Sequence, residues 1–414
     1  MKIRKYLIII FIFSILLSLN TLSVLGGSLP SNYENSNVPI YYTYYVDDDN
    51  IDGPWEGTKQ HPYNKIQDAI DNAYHYNDDI IYVYNGTYKE CIVINKSISL
   101  IGENKDSTII DGERKGNTIW VSYNYIKISG FKVINCIDNG FSSGIHVRMK
   151  QVQISDCIIE SNTCGIRTHH FNNISINNCI IRNNSAHSIY VITTSNITIN
   201  NCDIYQNGDP AGYSGGISIT NSVEYETQSN IVIQNCKIHD NFYRGISVGN
   251  GGWDGLGYTN VLIENNEIYN NTRSGILIWE SEVFITNNLI SKNGEGKARY
   301  GGILLENTNS LVKIENNSFK DNNGFGIHFL RSTGNSVKFN DFIGNNRQIG
   351  FSYEDSITSR NILIENYYDN LKNPMMKIFL GVCYMRYGIA SEKVLPILIF
   401  NVEWNPSKEP NCFF

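Results

Sequence analysis

The 414-residue chain is sparing with charge: 18% of its residues are Asp, Glu, Lys or Arg, and the formal net charge is -7. No Lys- or Arg-rich stripe is present to neutralise phosphates, which argues against nucleic acid as a partner. Long apolar runs are equally scarce, because the only one without charge covers residues 6–19. Met-Lys-Ile-Arg-Lys precedes that run and Ser23, Gly26 and Gly27 follow it, which is the order of a signal peptide. An uncleaved anchor is the alternative, since Leu22, Val24 and Leu25 could lengthen the run toward a span. Residues 1–27 are read as signal peptide or membrane anchor, and the body of the chain as secreted or held at the cell surface. Membrane contact is expected through that segment alone. The nine cysteines are an odd number and most fall inside a repeat, so their placement carries more than their count.

What the chain has in abundance is an internal repeat. Residues 154–162 read Ile-Ser-Asp-Cys-Ile-Ile-Glu-Ser-Asn, and close copies follow at 176–184, 199–207 and 233–241. Three more, at 263–271, 285–293 and 314–322, carry Asn in place of Cys, and degenerate copies lie at 126–136, 337–346 and 362–367. A Gly-Ile-x-(Ile or Val) run follows many of the copies. Period-2 alternation of β-branched residues between Asn and Gly makes strand and turn, not helix. Units of about 21 to 30 residues are too short for propeller blades, and they bury their alternate Ile and Val only by coiling, so that equivalent strands stack in parallel about 4.8 Å apart.

The recurring Asn is expected to adopt the left-handed conformation and to hydrogen-bond the Asn of the next coil. The column Cys157, Cys179, Cys202, Cys236 continues as Asn266, Asn288, Asn317, which marks a small buried turn site accepting thiol or amide. Parallel Cβ vectors on adjacent coils oppose disulfides there, and free structural thiols are expected. Residues 28–45 lack periodicity and read as a linker, and 46–125 as an N-terminal cap with the first coils. Behind Pro62, the helical spacing of Ile66, Ile70 and Ala73 predicts a short helix over 63–73 that covers the open end of the solenoid. The repeats occupy 126–368. Residues 369–414 form an aromatic C-terminal cap, with Phe379, Tyr384, Tyr387, Phe400 and Trp404, and Arg386, Glu392 and Lys393 argue against a membrane span there.

The opening segments Tyr-Val-Asp at 45–47, His-Pro-Tyr-Asn-Lys-Ile-Gln-Asp-Ala-Ile at 61–70 and Ile-Ser-Leu-Ile-Gly at 98–102 resemble those of NosD-like proteins of the pectin-lyase-like superfamily, with CASH-type repeats. The closing segments, Asn-Tyr-Tyr-Asp at 366–369 and Val-Glu-Trp-Asn-Pro at 402–406, are similar to the tails of archaeal members. The resemblance implies an all-β, single-stranded, right-handed parallel β-helix. It leaves function open among polysaccharide lyases, hydrolases, esterases, epimerases, copper-enzyme accessory proteins and surface proteins. With five Met and no Met, His or Cys cluster, the chain departs from what a copper role would use.

On the Gly-Ile-x-Ile strands the x positions should point outward, giving the column His146, Arg167, Tyr190 and beside it Arg148 and His169. Such a patch suits uronate carboxylates held by bidentate Arg, or is an ordinary solvated face. Trp253, in a long insertion, and Trp279 are candidate sugar platforms, with Glu280 and Glu306 beside the latter as weak catalytic carboxylates. Glu264 and Glu315 are a second carboxylate pair, about two coils apart. Asp48, Asn50 and Asp52 match the front of a calcium loop, yet Lys59 stands at its twelfth position, so Ca2+ is a weak cofactor candidate. The expected partner is therefore a polysaccharide. The three functions left open are recognition without turnover, a lyase or glycosidase, and a purely structural surface protein.

Overall fold

The computed structural model describes residues 42–74, 78–170, 172–210, 215–221, 230–250, 260–295, 300–308, 312–354, 361–369, 376–387 and 393–404. The leader and most of the 28–45 segment lie outside these residues. So does Trp253.

Three sheets of 13, 12 and 13 strands wrap a single core. Sheet 1 runs from Thr43–Val46 to Ile362–Ile364, sheet 2 from Gly86–Tyr88 to Tyr367–Tyr368, and sheet 3 from Ile92–Ile94 onward. All strand pairs of the coils are parallel and in register, as the right-handed β-helix reading requires. The first Ile of each repeat makes one continuous column in sheet 1, Ile154 to Ile176, Ile199, Ile233, Ile263, Ile285 and Ile314. All are fully buried, and each such side chain contributes roughly 1.5–3 kcal/mol by leaving water.

The polar columns share their work between neighbouring residues, where the sequence reading gave both roles to one Asn. Asn178, Asn201, Asn235, Asn265, Asn287 and Asn316 take the left-handed conformation, with φ between 54° and 58°, and are solvent-facing at the sheet 1 to sheet 2 turn. The next residue turns inward. There Asn266, Asn288, Asn317, Asn340 and Asn366 form a buried chain of amide-to-amide hydrogen bonds of 2.9–3.0 Å. A second chain at the sheet 2 to sheet 3 turn runs through Asn184, Asn207, Asn241, Asn271, Asn293, Asn322 and Asn345 at 2.8–3.2 Å. Each ladder Asn also donates to a core-strand carbonyl, satisfying backbone that the turns leave unpaired. Cys157, Cys179, Cys202 and Cys236 continue the first column as buried free thiols. The backbone N–H of Cys202 donates to the Cys236 sulfur at 3.4 Å, the bond an Asn oxygen accepts elsewhere.

The capping helix spans Ile66–Asn72 and buries Ile66, Ala69 and Ile70. Its first N–H groups donate to the Glu90 carboxylate, at 2.9 Å from Ile66 and 3.0 Å from Gln67, so the cap comes from the connection between the strands Gly86–Tyr88 and Ile92–Ile94. Thr43–Val46 pairs with Asp79–Val83 as the first strand of sheet 1, so the strand begins three residues inside the segment read as a linker. Its Tyr-Tyr-Val alternation fits a half-buried strand. At the other end, Met376–Tyr387 adds to sheet 3 in parallel and Lys393–Trp404 returns antiparallel, so the C-terminal cap is a long hairpin that extends the sheet.

Candidate functional site on the outward face of sheet 3

The outward positions of sheet 3 are aligned from coil to coil. Trp120 faces His146, His146 faces Arg167, and Arg167 faces Tyr190. The column then continues through Ser218, Ser247, Leu277, Leu304 and His328.

In the early coils this face departs from a solvated stripe. His146 is buried, packs its ring 4.7 Å from Trp120, and has neither ring nitrogen hydrogen-bonded. Arg167 donates to the Phe141 carbonyl at 2.8 Å and lies 5.3 Å from the Tyr190 ring. The expected outward column is thus correct in register, but Trp120 on one side and Arg167 on the other take His146 out of contact with solvent. Arg148 stays exposed, 5.9 Å from the Trp120 ring, and His169 packs edge-to-face against His170. Burial, with Arg167, Arg148 and His169 nearby, pushes the His146 imidazole down to about 4. Burial, His170 and the two arginines do the same for His169, to about 4. Burial and Arg167 bring His187 to about 4. His239, on the outer face of sheet 2, behaves oppositely. Burial opposes its charge, yet the Asp203 and Asp240 carboxylates at 3.0 and 2.6 Å hold its pKa above the ordinary range.

The stability consequence has a definite sign. The three depressed histidines bind fewer protons folded than unfolded, so their contribution is present above about pH 6.5 and is lost as pH falls toward 4. The His239 contribution is present at low pH and fades as pH rises through its raised value. Three groups outweigh one, and the melting temperature is expected to drop between pH 6.5 and 4. His146→Phe should then be the more stable chain at pH 5, by roughly 1–2 kcal/mol, because it removes a base that must stay uncharged. Melting curves of both chains at pH 7 and pH 5 check this; an equal loss in both would refute it.

Between the two aromatic groups read from the sequence lies a trough of about 220 Å³. Ser218, Thr220, Ser247 and Gly249 make its floor, His187 and Tyr190 its wall toward the N-terminal coils, and Leu277 and Trp279 its wall toward the C-terminal ones. Small outward residues on two successive coils, flanked by large ones, create it. The walls are three strand spacings apart, about 14 Å at ~4.8 Å per coil. Gly249 is required at the floor, because a Cβ there would lie 2.6 Å from the Cβ of Trp279. His187 and Tyr190 stack at 4.6 Å, which fixes one wall. The opposite wall is backed by the buried cluster Leu277, Leu304 and Tyr300. Along the rim, Arg273 lies between Tyr243 and Tyr300, 4.2 and 4.9 Å from their rings, and donates to both hydroxyls.

The sequence reading named Tyr190 and Trp279 in two separate candidates, and the fold sets them on opposite walls of one trough. That reading missed His187, Arg244 and the serine floor. The signal was available in the residue two before each sheet 3 Ile, but the insertion between 207 and 231 hides the alignment of the coils.

The carboxylate candidates separate. Trp279 faces Glu306 across one strand pair, but Glu306 accepts an ion pair from Arg331 at 2.9 Å. Glu280 is exposed in the left-handed conformation, with φ of 46°. Glu264 and Glu315 flank Thr286 on sheet 1, two coils apart, a different face from the trough. The loop matching a calcium motif is braced by its own side chains. Asp48 accepts from Thr87 N–H at 2.8 Å, with its carboxylate where a Cβ on Gly86 would fall, and Asn50 donates to the Pro62 carbonyl at 2.6 Å. Asp52 is exposed, and among the described residues no three His, Cys, Asp or Glu side chains gather to hold a metal. Asp48 and Asn50 thus brace the turn through Thr87 and Pro62.

The family model described as the right-handed β-helix region matches residues 63–226 and 217–367. The chain belongs to the right-handed β-helix family. No curated protein matches this β-helix by sequence. Among solved structures it is similar to the A-module of the mannuronan C-5 epimerase AlgE4 of Azotobacter vinelandii, with a TM-score of 0.61 and 16% identity over 78% of this chain and 95% of that one. The AlgE6 A-module of the same organism gives a TM-score of 0.53 and 16% identity over 74% of this β-helix and 95% of the module. At this identity the likeness is one of fold.

Proposed function

We propose that this β-helix is a glycan-binding protein whose recognition site is the sheet 3 trough. The observation that carries the reading is the pairing of aromatic walls with a hydroxyl floor. Tyr190 and Trp279 offer apolar surface to sugar rings, and Ser218, Thr220 and Ser247 offer hydroxyl partners between them. The named activity of the structural neighbours, on mannuronan, is in keeping with a polysaccharide ligand. We read the chain further as NosD-like on its opening and closing motifs, and as exported on its leader.

Recognition without turnover is the favoured form, because Glu306 is paired with Arg331 outside the trough and among the described residues no carboxylate lines it. The test is a panel of oligosaccharides titrated into the full chain, with product analysis on every binder. Trp279→Ala and Tyr190→Ala should each weaken the tightest binder by roughly five- to fiftyfold, about 1–2.3 kcal/mol. Cleavage products that vanish in Glu280→Gln or Glu306→Gln would instead establish a lyase or hydrolase. Absence of any binding would leave a structural surface protein.

A further inference from the structure

Arg244 stands apart from every other arginine of the site. It precedes the strand Ile246–Asn250, at the position that in the neighbouring coil is Gly215, and it lines the trough beside Ser218 and Ser247. Its Nε, like that of Arg167, is sealed from solvent and has no hydrogen-bond partner among the described residues, but Arg167 donates through its terminal nitrogen to the Phe141 carbonyl. Among the described residues the one specific side-chain contact of Arg244 is with the Tyr243 ring, 4.4 Å from the guanidinium carbon. Arg167, Arg182, Arg273 and Arg331 each donate to a carbonyl, a phenol or a carboxylate, whereas among the described residues no carboxylate lies within ion-pair distance of Arg244. Burial also holds its guanidinium below the usual range.

A guanidinium Nε taken out of water and left unpaired on a half-buried arginine is unfavourable unless something returns its hydrogen bond. The protein supplies a ring face and leaves the planar donor fork facing a cavity with hydroxyls on its floor. We infer that Arg244 is an anion-binding residue, and that the ligand of the trough carries a negatively charged substituent, a carboxylate or a sulfate ester, seated against Arg244 and the Ser218 and Ser247 hydroxyls. This rests on the glycan reading of the trough and narrows it to acidic sugars. The geometry suits the substituent: a fork of N–H donors pairs two oxygens at once, and hydroxyls can take a third. The ring of Tyr243 beneath the guanidinium fixes its plane, so little ordering remains to be done on binding. His187, on the opposite wall, is held neutral by burial and Arg167, which leaves Arg244 as the cation lining the trough among the described residues.

The test compares three oligosaccharides of equal length with the full chain: oligogalacturonate, a sulfated galactan fragment and a neutral galactan fragment. One of the two charged ligands should bind at least tenfold tighter than the neutral one, and which of them does so separates carboxylate from sulfate. Arg244→Gln should reduce that affinity by roughly 10- to 100-fold, the range for a charge-assisted hydrogen bond, and leave neutral binding unchanged. Arg244→Lys, which keeps the charge without the fork, should fall between. Equal binding of charged and neutral ligands, or unaltered affinity in Arg244→Gln, would overturn the inference while leaving a glycan site. Failure of every oligosaccharide would instead count against the glycan reading. The anion site is then judged by phenylglyoxal labelling, which acetate or inorganic sulfate should slow at Arg244 and chloride at equal ionic strength should not. Equal labelling in all three salts would overturn it.

Discussion

Asn288→Leu is expected to lower the stability of the coils around it by about 3–5 kcal/mol, a large effect for a change that preserves side-chain size. The Asn288 amide donates at 2.9 Å to the carbonyls of Ile263 and Thr286 and to the Asn317 oxygen. Its own oxygen accepts from the Asn266 backbone at 2.9 Å and the Asn266 side chain at 3.0 Å. Leucine would strand several buried groups at once, each at a cost of about 1–3 kcal/mol before relaxation. Cys236→Asn should be close to neutral, within about 1 kcal/mol, because that position belongs to the same column. Its backbone N–H already donates to Asn266 at 2.9 Å, so a new amide would extend the ladder. Urea unfolding of the three chains, followed by hydrogen exchange to localise the loss, checks the pair. A shift below 1 kcal/mol in Asn288→Leu would mean that the ladder is incidental to stability.

Ser247→Trp is expected to abolish ligand binding, by about 100-fold or more, with stability changed by less than about 1 kcal/mol. Ser247 points outward between Ser218 and Leu277, so an indole there occupies the trough and adds nothing to the core. Glycine at 249 and serine at 218 leave it room to lie flat. The matching control is Ser175→Trp, an outward position on sheet 1 facing Gln153 and Thr198, which should leave binding intact. If both substitutions weaken binding equally, the effect is general and the trough is not the site.

The fold was legible because every coil repeats the same physical problem. Alternating Ile and Val needed an inside, and only stacked parallel strands provide one for units so short. The polar columns were half legible: their spacing announced a ladder, but sequence alone did not distinguish the exposed left-handed residue, such as Asn287, from the buried amide after it, Asn288. The site was less legible. Tyr190 and Trp279 are 89 positions apart in the chain, the arithmetic difference of their numbers, and three coils apart in the fold. The insertion between 207 and 231 hides that relation. His146 was read as solvent-facing from strand alternation, which gives direction but not what packs above. Arg244 carried no motif at all, and its meaning lies in the partner it lacks.

The most direct test of the account is a calorimetric titration of the wild-type chain and Ser247→Trp with the tightest oligosaccharide of the panel. One saturable site per chain in the wild type, absent in Ser247→Trp and retained in Ser175→Trp, is the predicted result. Undiminished binding by a folded Ser247→Trp chain would contradict it and move the site off sheet 3.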